Sequence, residues 1–274
     1  MAKQFSRQVD DGLIANLKKT NLWTKKLEAD CIKGNVFLAI RDDCISFYHK
    51  GGGFYNFRKK GFSTNVQYAV TIDKEGYIYE NCLGNAVISN FFDGYDRIKK
   101  NCEQYSKKSE AEGVSWVYHK YPYNSAKSNV VVLDVEITAS GEKDRIDILL
   151  FNKQQQTLRF IEAKLFSNDD IRSKTRPKVI DQLDGYKDMI KKRHDEFLSA
   201  YQKYIDTLNS IFGLKLPKPK KIDDNLGLLI FGFDEDQRAG RLQRDIKKLK
   251  SYGALCYPIG EIKGINAETL WNNT

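Results

Sequence analysis

Three β-strand segments follow one another closely after residue 130, and this run constrains the fold more than any other part of the chain. The segments read VVLDVEIT, RIDILLF and TLRFIEAK, and the stretches ASGEKD and NKQQQ between them have the composition of turns. Connections this short join neighbouring antiparallel strands, whereas parallel strands need a longer crossover. The sequence therefore predicts antiparallel pairing here.

The chain beyond these strands alternates between helical and strand patterns. Pro177 opens a long helical pattern whose apolar residues recur at spacings of three and four, and Gly213 ends it. The run LGLLIFGF is typical of a strand buried on both faces, and a helix over residues 238–252 separates it from the strand ALCYPIG. This order predicts parallel pairing through a right-handed crossover. We therefore expect an α/β module with a mixed sheet flanked by helices.

The N-terminal part of the chain has a different pattern. The first thirty residues contain no proline and are predicted to be helical. Residues 36–62 contain short strand segments separated by a pair of aspartates and by three glycines at 51–53, which is typical of a β-meander. These residues indicate a separate module of meander and helices, giving an α+β chain overall.

The boundary between the two modules is expected after one further helix. Residues 90–112 have an apolar stripe at helical spacing, and Gly113 is predicted to end that helix. A polar stretch follows. We therefore divide the chain into an N-terminal module of unassigned function, residues 1–115, and a second domain, residues 116–274.

The charge of the chain is compatible with a polyanionic partner. The sequence has 45 Lys and Arg residues against 36 Asp and Glu residues, which gives a net charge of +9. The excess is spread along the whole chain. Because neutralising phosphates releases counterions, such a protein is suited to binding nucleic acid, although charge alone is weak support.

The number and spacing of the cysteines and the length of the apolar runs predict the cellular compartment of the protein. The five cysteines form no C-x-x-C pair, and an odd, scattered set argues against a disulfide framework and favours a reducing cytoplasm. The apolar runs are far shorter than the roughly 20 residues that a membrane span needs. The N-terminal residues also lack an apolar signal core. We therefore expect a cytoplasmic protein with no membrane partner.

Charged side chains interrupt two of the apolar strands. Alternation places Asp147 opposite the apolar face of its strand, and it places Glu162 and Lys164 together on the next strand. Charges within apolar strands are costly unless something compensates them. Carboxylates, waters and a phosphate oxygen form the oxygen-rich set that Mg²⁺ prefers, so these residues predict a divalent-metal site. The alternative is a salt-bridged sheet edge in which Glu162 pairs with Lys164 or Lys143.

A third carboxylate depends on the register of the first hairpin. If the hairpin is centred between Gly141 and Glu142, Glu136 lies directly across from Asp147. A slip of one residue would send its side chain to the other face. With this register, Glu136 is a further candidate metal ligand.

The sequence R-I-D-I-L-L, followed fifteen residues after its aspartate by I-E-A-K, resembles the PD-(D/E)XK nuclease superfamily. The resemblance covers residues 130–260 and implies a restriction-endonuclease-like fold. It implies that Asp147 and Glu162 bind Mg²⁺ or Mn²⁺ and that Lys164 assists hydrolysis. Ile146 stands where the superfamily name has proline, which contributes no ligand.

The resemblance also extends to residues outside these strands. Branches of the superfamily have a glutamine, with a tyrosine four residues on, on the following helix, and Gln182 and Tyr186 occupy those positions. Gln182 is therefore a candidate catalytic residue. Many members use a glutamate on a helix before the sheet, for which Glu103 and Glu110 are candidates. The sequence does not decide between them and Glu136.

These observations predict a metal-dependent nuclease, with DNA as the expected substrate. The use of the superfamily in prokaryotic restriction and phage defence makes such a role an expectation by analogy. The alternative is a non-catalytic nucleic-acid-binding or scaffold protein on a nuclease-like fold. The sequence leaves open RNA against DNA, endonuclease against exonuclease action, and whether the chain forms a homo-oligomer.

Overall fold

Two units make up the chain in the computed structural model, which describes residues 4–70, 76–83, 88–107, 109–138, 145–173 and 175–272. The N-terminal unit comprises Ser6–Ser115 and Asp206–Leu214. The C-terminal unit comprises Met1–Phe5, Trp116–Ile205 and Lys215–Thr274. Each has its own sheet, so the expected α/β organisation with two modules of strands and helices is confirmed.

The N-terminal unit is built on a five-stranded antiparallel sheet in the order β1-β2-β3-β4-β5. The predicted helical start and the meander are both confirmed. The elements are α1 (Asp11–Lys19), a π-helix (Trp23–Leu27), α2 (Glu28–Ile32), β1 (Phe37–Arg41), β2 (Cys44–His49), β3 (Gly52–Arg58), β4 (Gly61–Asn65), α3 (Val66–Val70), β5 (Tyr77–Tyr79), a 3₁₀ turn (Glu80–Cys82), α4 (Tyr95–Ser106) and α5 (Glu110–Lys120).

Gly51 lies in the turn between β2 and β3, and Gly52 and Gly53 begin β3. Gly51 has φ +88°, and a Cβ placed on it would lie 2.3 Å from the carbonyl carbon of Ala111 on α5. A side chain there would meet both the strain of a left-handed conformation and a backbone clash. Close packing of the turn against α5 therefore requires glycine at this position.

The helix predicted over residues 90–112 is two helices, and the predicted end at Gly113 is wrong. α4 ends at Ser106, and α5 begins at Glu110 and runs through Gly113. The Ser109 hydroxyl accepts a hydrogen bond from the backbone N–H of Glu112, as a helix N-cap does. A new helix start therefore overrides the stop signal that a glycine alone gives.

His49 makes the stability of the N-terminal unit sensitive to acid. Its Nδ1 lies 2.8 Å from the backbone oxygen of Asn35, and its burial lowers its pKa from 6.5 to about 4. Between these values the unfolded chain binds a proton that the folded unit excludes, so stability falls as the pH falls. We expect a loss of about 3 kcal/mol over this range.

Urea unfolding at pH values across this range will test the prediction. The wild type and His49→Gln should be compared, because carboxylates also titrate there and the variant isolates the histidine. We expect a smaller pH dependence in the variant. Equal pH dependence in the two proteins would contradict the role of His49.

The C-terminal unit is built on a mixed sheet whose main order is β11-β10-β8-β7-β6. β6, β7 and β8 are antiparallel neighbours, while β8, β10 and β11 are parallel, as predicted. The elements are β6 (Val130–Ile137), β7 (Ile146–Asn152), β8 (Thr157–Leu165), α6 (Lys178–Lys192), α7 (His194–Phe212), β9 (Lys221–Ile222), β10 (Gly227–Phe231), α8 (Glu235–Ala239), α9 (Arg241–Ser251), β11 (Leu255–Ile259) and α10 (Ala267–Asn272).

The long helical pattern after Pro177 is also divided. α6 and α7 are separated at Arg193, whose φ of −121° and ψ of 25° are not helical. The apolar spacing continues through the break, which is why the sequence pattern did not show it. The predicted helix over 238–252 likewise consists of α8 and α9, with Gly240 between them. No helix in the described residues is long and apolar enough to cross a membrane.

Candidate active site

The register between β6 and β7 places Glu136 opposite Asp147. Val135 pairs with Ile148, so the next position on β6 faces the preceding position on β7. The pairing agrees with the predicted register, although the turn itself, in residues 139–144, lies outside the described residues. Glu136 is thereby brought beside Asp147 within one sheet.

The register between β7 and β8 extends this row by one strand. Ile148 pairs with Ile161, which places Asp147 opposite Glu162. Three carboxylates therefore lie in register on three neighbouring strands. Lys164 follows two residues later on β8, on the same face of the strand as Glu162.

Glu162 and Lys164 form a buried ion pair. Lys164 Nζ lies 2.8 Å from Glu162 Oε1. The Lys164 side chain is only 8% exposed and the Glu162 side chain only 2%. A carboxylate this deeply buried needs a counter-charge. In this structure the Lys164 ammonium supplies it.

Asp147 is held by the strand that carries this pair. Its Oδ2 accepts a 2.8 Å hydrogen bond from the backbone N–H of Ala163, which lies between Glu162 and Lys164. Burial raises the pKa of the Asp147 carboxyl well above its ordinary value, and the neighbouring Glu162 carboxylate raises it further. The site therefore concentrates negative charge, which favours a proton or a cation beside Asp147.

Glu136 has an unusual backbone conformation and its own partner. Its φ is +51°, which is uncommon for a residue with a side chain and occurs often at functional sites. Its Oε2 lies 2.9 Å from Arg145 Nη1, and the Arg145 side chain is 62% exposed. The sequence analysis did not identify Arg145 as a site residue. Its position two residues before Asp147 would have indicated that it lies near the site.

α6 places Tyr186 and Gln182 beside the start of β7. The Tyr186 hydroxyl donates a 2.9 Å hydrogen bond to the backbone oxygen of Arg145, two residues before Asp147. Gln182 lies one helical turn earlier on the same face of α6. Its side-chain oxygen is buried and accepts no hydrogen bond from the described residues. A buried acceptor of this kind is available to a ligand.

Removing the Tyr186 hydroxyl is expected to weaken the fold modestly. Tyr186→Phe should lower the free energy of unfolding by about 1 kcal/mol, because the Arg145 carbonyl loses its donor. Tyr252→Phe is the matched control, since the Tyr252 side chain is exposed and its hydroxyl lies at 3.4 Å from the oxygen of Thr175. Equal losses in chemical denaturation would contradict a specific anchoring role for Tyr186.

The carboxylates are not gathered into a ready-made metal cluster. Across residues 4–272, where described, no three His, Cys, Asp or Glu side chains lie close enough together to hold a metal ion. Glu103 is exposed on α4 and Glu110 begins α5, so both belong to the N-terminal unit. Glu136 is the one of these three candidate glutamates that lies in the same sheet as Asp147.

Comparison with known proteins adds little to this geometry. No protein-family model matches the sequence, and no curated protein matches it. The chain is similar to the solved structure of Pyrococcus furiosus SfsA in complex with Ca²⁺, with 12% sequence identity over 95% of this chain and 90% of that chain. The TM-score is 0.22, and a similarity this low establishes neither fold nor function.

Proposed function

We propose that this protein is a metal-dependent nuclease that hydrolyses phosphodiester bonds, with DNA as its substrate. The observation that carries the proposal is the alignment of Asp147 and Glu162 on adjacent strands, with Lys164 buried beside them. A role in prokaryotic restriction or phage defence belongs to the same proposal and rests only on the resemblance to the PD-(D/E)XK superfamily.

The residues of the site fit a hard divalent cation. Asp147 and Glu162 offer carboxylate oxygens, and Gln182 offers a buried oxygen that accepts no hydrogen bond from the described residues. Asp147 and Glu162 would hold Mg²⁺ or Mn²⁺, and Glu136 would complete the set. When bound, the ion polarises the phosphate and lowers the pKa of a water molecule. Because Lys164 Nζ contacts Oε1 of Glu162, a cation held by Glu162 would share this carboxylate with the ammonium.

The side chains of the site then have separate tasks. The Lys164 ammonium would lie beside the reacting phosphate, where it would neutralise developing negative charge and position a water molecule. Asp147 is held in place by the N–H of Ala163, so its carboxylate is oriented before substrate binds. Tyr186 anchors the chain just before Asp147.

The proposal is tested by cleavage of labelled DNA in the presence of Mg²⁺. Wild-type protein should cleave it, EDTA should stop cleavage, and Asp147→Ala and Lys164→Ala should each lose activity. Undiminished cleavage by both variants would show that another site is responsible.

One observation favours the second candidate, a nucleic-acid-binding protein without turnover. Lys164 already neutralises Glu162, and the described residues include no preformed group of three metal-binding side chains. A protein of this kind would bind DNA and show no metal-stimulated cleavage. The same assay therefore separates the two functions.

A further inference from the structure

α9 presents a dense row of positive charge on the C-terminal unit. Its eleven residues, RLQRDIKKLKS, contain five basic side chains and a single acidic one, Asp245. The basic residues are Arg241, Arg244, Lys247, Lys248 and Lys250. The Oδ2 atom of Asp245 lies 3.3 Å from Arg172 Nε, so Asp245 is already paired. α9 has no other acidic residue to neutralise its outer face.

Four of these cations are exposed and form no ion pair with any described residue. Arg241, Arg244, Lys247 and Lys250 have no carboxylate partner among the described residues. They recur every three residues, so each charge lies about 4.5 Å further along the helix axis and about 60° further round it than the one before. Most other arginines of this unit are paired, for example Arg159 and Arg176. Arg241 and Arg244 differ from these arginines in having no ion pair among the described residues.

The other face of α9 decides which polyanion this row fits. Leu242, Ile246 and Leu249 are buried, so the apolar side of the helix is already used within the fold. A helix that binds a lipid surface inserts its apolar face into the membrane. α9 has only charge to offer, which suits the phosphate backbone of a nucleic acid.

The connections of α9 relate it to the candidate active site. β10, which precedes α8 and α9, pairs with β8 so that Ile230 lies beside Lys164. The segment that leaves β8 contacts α9 directly, because Arg172 reaches Asp245 and Lys248 Nζ donates to the oxygen of Ser173. α9 therefore packs against the segment that follows β8, the strand that carries Glu162 and Lys164.

We infer that the outer face of α9 is the surface on which the protein binds the phosphate backbone of duplex DNA. It acts by positioning substrate and takes no part in the chemistry. The inference rests on the proposed nuclease function for its biological meaning, while the binding itself is independent of cleavage. Phosphate contacts of this kind give affinity without sequence preference.

The test uses a fluorescein-labelled duplex of about 30 base pairs in EDTA, with binding followed by fluorescence anisotropy across a salt series. Arg241→Gln, Arg244→Gln and Lys247→Gln are combined in one variant, which keeps good helix formers in α9. We expect binding at least about tenfold weaker at 0.1 M salt. The slope of log affinity against log salt should fall by about 2 to 3.

A matched control removes three cations from another helix of the same unit. Lys187, Lys191 and Lys192 on α6 also have no ion pair among the described residues, and changing all three to glutamine should leave affinity within about twofold. Equal losses in both variants would show a general charge effect and overturn the assignment. Circular dichroism and thermal unfolding show whether each variant is folded. Wild-type binding to anionic phospholipid vesicles but not to duplex would also overturn it.

Duplex binding in EDTA and cleavage in Mg²⁺, both measured for wild type and for the α9 variant, separate this inference from the proposed function. If no protein cleaves but the α9 variant still loses binding, the nuclease proposal fails and the DNA-binding surface stands. If wild type cleaves and the α9 variant binds normally, the surface fails alone.

Discussion

Asp147→Asn is expected to lower Mg²⁺-dependent cleavage on the order of 10³-fold, which corresponds to about 4 kcal/mol of transition-state stabilisation. The change keeps the size of the side chain and an oxygen that can accept the Ala163 N–H. It removes only the negative charge that would hold the cation. Initial cleavage rates at matched protein concentrations provide the measurement.

The same substitution is expected to stabilise the metal-free protein. The native pKa of Asp147 lies above its unfolded value, so its ionisation weakens the fold as the pH rises through that native pKa. Asparagine avoids this cost beside Glu162. If the variant loses activity while its free energy of unfolding rises, the Asp147 charge serves function at the expense of stability. Chemical denaturation at neutral pH without metal measures it.

Asp134→Asn is the matched control for this prediction. Asp134 is a fully buried carboxylate on β6, and it accepts hydrogen bonds from the Tyr201 hydroxyl at 3.1 Å and from the Val135 N–H at 2.8 Å. It pairs with Leu149 rather than with Asp147, so it lies outside the row of Asp147 and Glu162. Cleavage by Asp134→Asn should stay within severalfold of wild type, and an equal loss would assign the effect of Asp147→Asn to general disruption.

Arg159→Met is expected to cost about 3 to 5 kcal/mol of unfolding free energy. Arg159 is buried, its Nε lies 2.8 Å from Asp223 Oδ2, and its Nη1 donates to the backbone oxygens of Leu270 and Trp271 at 3.1 and 2.7 Å. Methionine fills similar space and leaves these acceptors without their donor. We also expect faster proteolysis of the C-terminal helix α10, which these bonds hold.

Two further variants sharpen this test. Arg238→Met removes an arginine that is 49% exposed and lies 3.4 Å from Glu235, so it should cost less than about 1 kcal/mol. Adding Asp223→Leu to Arg159→Met removes the carboxylate that has lost its arginine partner, and it should recover part of the lost unfolding free energy. If Arg159→Met and Arg238→Met have equal effects on urea unfolding, burial of the Arg159 network is not what stabilises the unit.

The strands of the C-terminal sheet were predictable from the sequence because their patterns are local. Alternation of apolar residues located β6, β7 and β8, and symmetry about the turn gave the register that brings Glu136 to Asp147. The crossover rule gave the parallel strands. Helix ends were less predictable, since the break at Arg193 depends on backbone angles that leave the apolar spacing intact.

The sequence predicted which residues form the candidate site, but it predicted fewer of the contacts between them. Alternation placed Glu162 and Lys164 on one face and allowed their pairing, but the burial of the ion pair depends on what else covers the sheet. The Arg159 network was not foreseeable, because its partners Asp223 and Trp271 lie 64 and 112 residues further along the chain. Such contacts leave no periodic signal.

The position of a bound cation is the most direct test of the proposed site. Crystals soaked in MnCl₂ should show an anomalous peak between the carboxylates of Asp147 and Glu162. Crystals of Asp147→Asn treated in the same way should lack this peak. If wild-type protein cleaves DNA with Mn²⁺ while the peak lies elsewhere or is absent, the assignment of Asp147 and Glu162 as the metal site is wrong.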